Sequence, residues 1–425
     1  MVRYIHLRFL FLFLILGACS PEGKKAGISF HFKDPTLLPL LDAGNFKIGD
    51  EAYFYNAFYI DRENARNKVS APLFIHHVDQ LNLAGSVLQN PMSYPGAEHI
   101  RHLVTLATPW GPGVLFADHG VDYAEFNSGG MVKLLVKNDK DNTLADFSGR
   151  LNQKPNFVFN VAAPKRKGQK FNDILLISYN TPFSKIVYLQ ATTNGYVDKS
   201  EMLPANWFKK EICFMTGTAL DIDHDETDEV LLGGCDLDVK LNPSAHDRII
   251  KLEKNKWVFQ DEKILPVRKG EKGWGTVFLL KEDFNQDGFT DIVALTHDLG
   301  FHQGQVQVMY YDPAQKIFSN REVRNWPQAT LNLSQHYLHR VVAFDIDKDG
   351  KKDIIGQFSY IKGNNFLGPK IFVLLNKGNY FEYQTENILN LKNETGIIGI
   401  DVFKIKDQKE DSLMISYYNS SVDIF

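Results

Sequence analysis

The chain has 425 residues, 44% hydrophobic, 12% aromatic and 23% charged, a balance that excludes wholesale disorder, collagen-like repeats and extended coiled coil. Lys and Arg number 47 against 51 for Asp and Glu, a formal net charge of −4. That balance supplies no general drive toward nucleic acid, which is not expected as a partner.

The first segment, MVRYIHLRFLFLFLILGAC, sets Arg3 and Arg8 ahead of an apolar run from Phe9 to Leu16 and then small residues before Cys19, the order of a secretory signal. The run is shorter than the roughly 20 residues that cross a bilayer as a helix. The sequence LGAC ending at Cys19 resembles a bacterial lipobox, which implies cleavage before Cys19 and lipidation there. The expected organisation is a signal peptide over 1–18, a lipidated tether over 19–26 and one domain over 27–425. The lipid would be the sole membrane contact, at the bacterial cell envelope, with Ser20 after the cysteine favouring the outer membrane.

Past the tether, strand-like runs follow one another without a Gly/Ser- or Pro-rich linker. Gly27 to Lys33 reads as one short strand, and residues 45–100 hold enough such runs for a degenerate four-strand unit. Better copies begin near residues 104 and 159, and the register becomes clear at three acidic clusters: DIDHDETDEV from Asp221, DFNQDGFTDIV from Asp283 and DIDKDGKKDII from Asp345. Both intervals are 62 residues. Each cluster stands between two apolar runs rich in β-branched and aromatic residues, and two further short runs follow, giving four antiparallel strands per repeat. Four such strands make one propeller blade. The predicted fold is an all-β propeller of seven blades, with six plus an amino-terminal extension as the alternative. The last unit ends at Phe425 after its third strand, so the run from Gly27 is expected to supply the fourth and join the two chain ends.

In the acidic loops, Asp345, Asp347, Asp349 and Asp353 place carboxylates at alternate positions, Gly350 permits the tight turn, and Lys351 would offer its backbone carbonyl. Oxygen-only ligands of high negative charge suit calcium. The preceding loop repeats the set as Asp283, Asn285, Asp287, Asp291 and the carbonyl of Phe289. The earliest copy has Asp221, Asp223, Asp225, the carbonyl of Thr227 and Glu229, but Glu226 replaces the glycine, which leaves its occupancy open. An EF-hand is excluded because position twelve is Leu232, Ala294 or Gly356 and strands flank the loops. In the weaker copies the acids are lost: Lys165 and Lys167 in one, Lys404 and Lys406 in the last, stand where a cation would sit.

These loops resemble the VCBS/FG-GAP repeats of β-propellers such as integrin α-subunits, over residues 104–425. The resemblance implies calcium between the first two strands of a blade, with a structural role, and an exported protein engaged in adhesion or ligand binding. A minority of the family are enzyme scaffolds.

On the face away from the acidic loops, histidines gather with aromatic and polar residues. His119, Asp122, Tyr123, Trp274, His297, Asp298, His302 and His339 are the candidate ligand residues, with a glycan or a protein as the expected partner. His119 and His297 fall at second-to-third-strand loops, and His339 just before a first strand. No HExxH, GxSxG, Walker loop or dinucleotide-binding glycine motif occurs, so no enzyme is indicated. A propeller-scaffold enzyme acting on carbohydrate and an envelope assembly scaffold stand as alternatives. Cys213 and Cys235, 22 residues apart on neighbouring strands of an exported chain, predict a cross-strand disulfide.

Overall fold

The computed structural model describes residues 28–31, 40–58, 73–77, 92–94, 100–121, 128–129, 132–138, 140, 143–151, 158–178, 186–204, 213–235, 247–260, 264–265, 274–298, 304–326, 336–362, 365–384, 389, 391, 397–404, 410–417 and 421–425. The expected signal peptide and Cys19 lie outside them. Among the described residues no helix is long and apolar enough to cross a membrane.

Among the described residues the strands form five four-stranded sheets, one eight-stranded sheet and a two-stranded ribbon. The eight-stranded sheet divides into two four-stranded meanders, whose outer strands Ile317–Arg324 and Tyr380–Tyr383 pair in parallel. Seven four-stranded units result among the described residues, numbered here as blades in the order of their first strands. These begin with Leu40–Ile48, Ile100–Thr108, Val158–Ala162, Cys213–Leu220, Trp274–Glu282, His336–Phe344 and Ile397–Phe403. The last is completed by Ile28–His31, paired antiparallel with Ser421–Ile424, so the first and last described strands lie in one sheet.

Each first strand packs against the first strand of the next blade, and Ile397–Phe403 packs against Leu40–Ile48, which closes the ring. At that seam Asp401 Oδ2 accepts the backbone N–H of Asn45 at 2.8 Å. A Cβ on Gly399 would strike the carbonyl oxygen of Ala43, so the close approach of the two strands requires glycine there.

The core lies between blades, and this explains why the second strands are apolar on both faces. In Glu229–Cys235, Val230 and Leu232 pack with Ile177 and Tyr188 of blade three. Leu231, pointing the other way, packs with Ile292 and Met309 of blade five.

The first two strands of every blade share one irregularity. Their register shifts between Leu40/Asp42, Ile100/His102, Val158/Asn160, Phe214/Thr216, Thr276/Phe278, Leu338/Arg340 and Ile397/Gly399. A bulge at one place in each repeat turns the extra residue off the ladder. Of these residues, Met215 and Val277 join one buried cluster with Leu338, and Phe159 packs against it. The bulges thus bring side chains from several blades together between the inner strands. In blade four the Cα register sets Cys213 opposite Cys235.

Candidate functional site

The three acidic loops each join a first strand to a second and share three hydrogen bonds; they differ at the fifth N–H, which goes to Oδ1 of the first aspartate in Asp221–Glu229 and Asp283–Asp291 but to Asp347 Oδ1 in Asp345–Asp353. The first aspartate accepts the N–H of the sixth residue through Oδ2: Glu226 to Asp221, Gly288 to Asp283 and Gly350 to Asp345, at 2.9–3.0 Å. The fifth aspartate accepts the N–H of the seventh: Thr227 to Asp225, Phe289 to Asp287 and Lys351 to Asp349. The ninth carboxylate accepts the N–H of the second: Ile222 to Glu229, Phe284 to Asp291 and Ile346 to Asp353. The sixth residue is left-handed in all three, with φ of 69° at Glu226, 89° at Gly288 and 88° at Gly350. Glu226 adopts that backbone without a glycine's freedom, so the missing glycine does not alter the loop's shape.

Charge distinguishes them. In blade six one carboxylate oxygen each from Asp345, Asp347 and Asp353 lies within 4.8 Å of the others, the spread that a calcium shell of about 2.4 Å radius spans. Asp345 spends Oδ2 on Gly350 N, and its Oδ1 is buried without a hydrogen-bond partner. An orphaned anionic oxygen aimed among carboxylates is what a bound cation would satisfy. Burial, with Asp347 and Asp349 adding like charge, pushes the Asp353 carboxyl up to about 6 against two backbone N–H bonds that favour its ionised form. Asp291 in blade five is pushed up to about 7 by burial, with Asp287 and Asp283 adding to it. There Asn285 donates Nδ2 to Asp287 Oδ2 at 2.9 Å. The donor set at Asp345–Asp353 therefore fits calcium; Asp283–Asp291 offers the same ligand types, but its carboxylates are less closely gathered and Asp283 Oδ1 accepts the N–H of Asp287.

Blade three keeps only the ninth carboxylate. Asp173, wholly buried, accepts Arg166 Nε at 2.6 Å and Nη2 at 3.1 Å, Tyr188 OH at 2.6 Å and the N–H of Ala191 at 2.8 Å. The basic partner differs from the sequence expectation. Lys165 and Lys167 stand in the ligand columns, yet Lys167 reaches Glu226 at 3.7 Å, and the guanidinium between them supplies the cation. The position of Arg166, seven residues before the ninth carboxylate, is that of Phe284, whose buried side chain shows that this column points inward. Lys404 is exposed and Lys406 lies outside the described residues.

At the opposite ends of the blades the bulges place the histidine face. His339 occurs within its first strand, not before it, and its Nε2 lies 2.6 Å from Ser359 Oγ. His297 lies in the second strand of blade five and His119 directly after that of blade two, each at most 4% exposed. The second strand of blade five extends farther toward this face than the apolar pattern suggested, which takes His297 off the loop, whereas His119 stays in the second-to-third connection as expected; both imidazoles are covered. Arg101, a bulge residue, holds its guanidinium 5.4 Å over the Phe159 ring, and His119 meets the same ring edge-on at 5.7 Å. Arg340 Nη2 lies 3.5 Å from Tyr55 OH. Arg101 and Arg340, which the sequence reading did not single out, thus join His339 and His297. Trp274 and Asp298 are Cα partners, while Asp122, Tyr123 and His302 lie outside the described residues.

Burial pushes His102 down to about 4, helped by Arg340. Burial, then Arg101, Arg340 and His297, pushes His339 down to about 3. Both values lie below the unfolded value near 6.5, so the unfolded chain binds protons first and stability falls as pH drops through 6.5. Each imidazole should lose on the order of 2 kcal/mol between pH 7 and pH 5. In chelator, His339→Gln should therefore lose that much less than the wild type over the same range. Denaturant melts of the two proteins at both pH values test this; equal losses would refute it.

The FG-GAP-like repeat family matches residues 283–356, from the acidic loop of blade five through that of blade six. Among solved structures the chain is similar to one described as the Dos1 propeller, with 11% identity and a TM-score of 0.51 over 93% of this chain and 95% of that chain. It is also similar to a thermostable family-43 glycoside hydrolase, with 11% identity and a TM-score of 0.34 over 63% of this chain and 88% of that one. No curated protein matches the chain. The four-stranded sheets and the likeness to the Dos1 propeller make the fold a β-propeller, and its residues 283–356 match FG-GAP-like repeats.

Proposed function

Starting from this propeller with FG-GAP-like repeats, we propose a calcium-binding, lipid-anchored envelope protein that binds a glycan or protein ligand and performs no catalysis. The supporting observation is the pair of loops at Asp283–Asp291 and Asp345–Asp353, above all the unsatisfied Asp345 Oδ1 among carboxylates. Asp345, Asp347, Asp349, Asp353 and the Lys351 carbonyl would hold one ion; Asp283, Asn285, Asp287, Asp291 and the Phe289 carbonyl would hold the other. Calcium supplies positive charge that offsets carboxylate repulsion. The loops themselves orient those carboxylates through backbone N–H donors and shut the hairpin.

The ligand face is the bulge end, where Arg101, Arg340, His339 and Phe159 combine charge, hydrogen-bonding and ring surface. Export through the signal over 1–18 and lipidation at Cys19 place this body at the outer membrane. A disulfide between Cys213 and Cys235 would clasp blade four, where their Cα positions are paired.

Calorimetric titration of the metal-free protein with calcium should give heat, and saturation should raise the melting temperature. At about 100-fold excess over Kd each site contributes roughly 2.7 kcal/mol. No heat, with a melting temperature indifferent to EGTA, would return the loops to plain acidic turns. Pull-down of envelope glycans and proteins by residues 24–425, with Arg101→Ala as control, tests the face. Equal capture by both proteins removes the bulge end from the ligand site.

A further inference from the structure

The loop at Asp221–Glu229 shares its turn with the two read as calcium sites, and its Asp221, Asp223 and Asp225 gather within 4.8 Å, as Asp345, Asp347 and Asp353 do. A cationic group of the chain already stands there. Lys251 Nζ lies 2.7 Å from Asp223 Oδ2, 2.8 Å from Asp225 Oδ2 and 2.7 Å from Glu229 Oε1. Its side chain is only 19% exposed, so this is no loose surface pair. The ammonium donates to the third and fifth carboxylates and lies in ion-pair contact with the ninth, so it occupies the position that a metal would bridge and brings its own countercharge.

Strand register explains why only this loop is so furnished. Ile250, Met309 and Leu374 are the Cα partners of Val230, Ile292 and Ile354. The residues that follow, Lys251, Tyr310 and Leu375, therefore share one column of the repeat, and blades five and six have no cation in it. Lysines do approach the loop of blade six, yet differently. Lys351 reaches Asp349 at 2.8 Å and Lys377 reaches Asp347 at 3.4 Å, each touching one carboxylate from a side chain 43% or 32% exposed. Either can swing into solvent when an ion enters. Lys251 is held by three partners and by the strand from which it projects.

We infer that Lys251 is the resident cation of the loop at Asp221–Glu229, which consequently takes no calcium, and that removing this ammonium uncovers a latent calcium site. Glu226 in place of glycine is not the cause, because the backbone is unchanged. The inference rests on the calcium reading of the other two loops for the ion's identity, not for the position of Lys251. Countercharge along the ring is then graded: Arg166 in blade three and Lys251 in blade four are permanent, while blades five and six await a soluble ion. Chelation should loosen two neighbouring blades and spare the two before them.

Native mass spectrometry in calcium, on wild type and Lys251→Met, counts the ions. Two in the wild type and three in the variant are expected. Three in the wild type would overturn the inference and leave the calcium reading intact, and so would two in a folded variant. None in the wild type would overturn the calcium reading instead, and a single ion gained by the variant would still uphold the role of Lys251. Should Lys251→Met fail to fold, hydrogen exchange on the wild type decides. EGTA should strip protection from residues 284–289 and 346–351 while residues 222–227 keep theirs, and loss at all three loops would overturn the inference.

Discussion

Asp353→Ala is expected to lower stability by about 4 kcal/mol in chelator, because Asp353 is wholly buried and accepts the N–H groups of Ile346 at 2.9 Å and Asn376 at 2.8 Å. Each buried donor left without an acceptor costs about 1–3 kcal/mol. In saturating calcium the loss should grow, since the ion's contribution goes with its ligand: roughly 2.7 kcal/mol more at about 100-fold excess over Kd. Asp353→Asn, which keeps an oxygen but drops the charge, should retain part of the hydrogen bonding and lose the calcium-dependent portion. Denaturant melts with and without EGTA separate the two. A loss under about 1 kcal/mol for the alanine variant in chelator would show that Asp353 does not secure this turn.

A comparable effect is expected where no metal is involved. Asp173 gathers four donors from two chain segments, Arg166 and the strand Val187–Thr192, and its carboxylate is the only acid that Arg166 is seen to engage among the described contacts. Asp173→Ala leaves a guanidinium 17% exposed, a tyrosine hydroxyl and a backbone N–H without their acceptor. Breaking a buried pair by deleting one partner typically costs about 3–5 kcal/mol, and that is the expected loss. It should be the same with calcium or EGTA. Replacing both Arg166 and Asp173 by Met and Leu should restore part of it, because no charge is then stranded. A single-variant loss that varied with calcium would contradict the division between self-neutralised and ion-dependent loops.

The sequence disclosed the acidic loops because their ligands are local: nine residues hold the whole carboxylate set, and recurrence at 62 residues sets it apart from chance. The four-strand rhythm was legible for the same reason, as was closure by the amino-terminal strand, which pairs Ile28 with Ile424. Lys251 was not legible, for it lies 22 residues beyond Glu229, and which way it points depends on strand register. Alignment of Lys251 with Tyr310 and Leu375 would have exposed it once that register was known. Arg166 was not legible either, because ligands sit at odd positions of the loop while it occupies the even column filled elsewhere by Phe284. On the histidine face, the bulges set the outcome: each inserts one residue and so changes which side chains turn inward, which a period-two reading does not anticipate.

The sheet built from the first and last described strands also constrains when the molecule becomes whole. Ile28–His31 emerges first and Ser421–Ile424 last, with about 390 residues between them, and joining such distant segments carries a loop-closure entropy of roughly 5 kcal/mol. Six blades can therefore form in sequence while the seventh waits for Ser421–Ile424. Until then Leu40–Ile48 has no neighbour at the seam, and its future contact with Gly399 and Asp401 remains open to other chains. A fusion that prolonged the carboxy terminus through the pairing strand, or a cleavage between residues 31 and 40, would strike assembly at its final step and leave the finished blades intact.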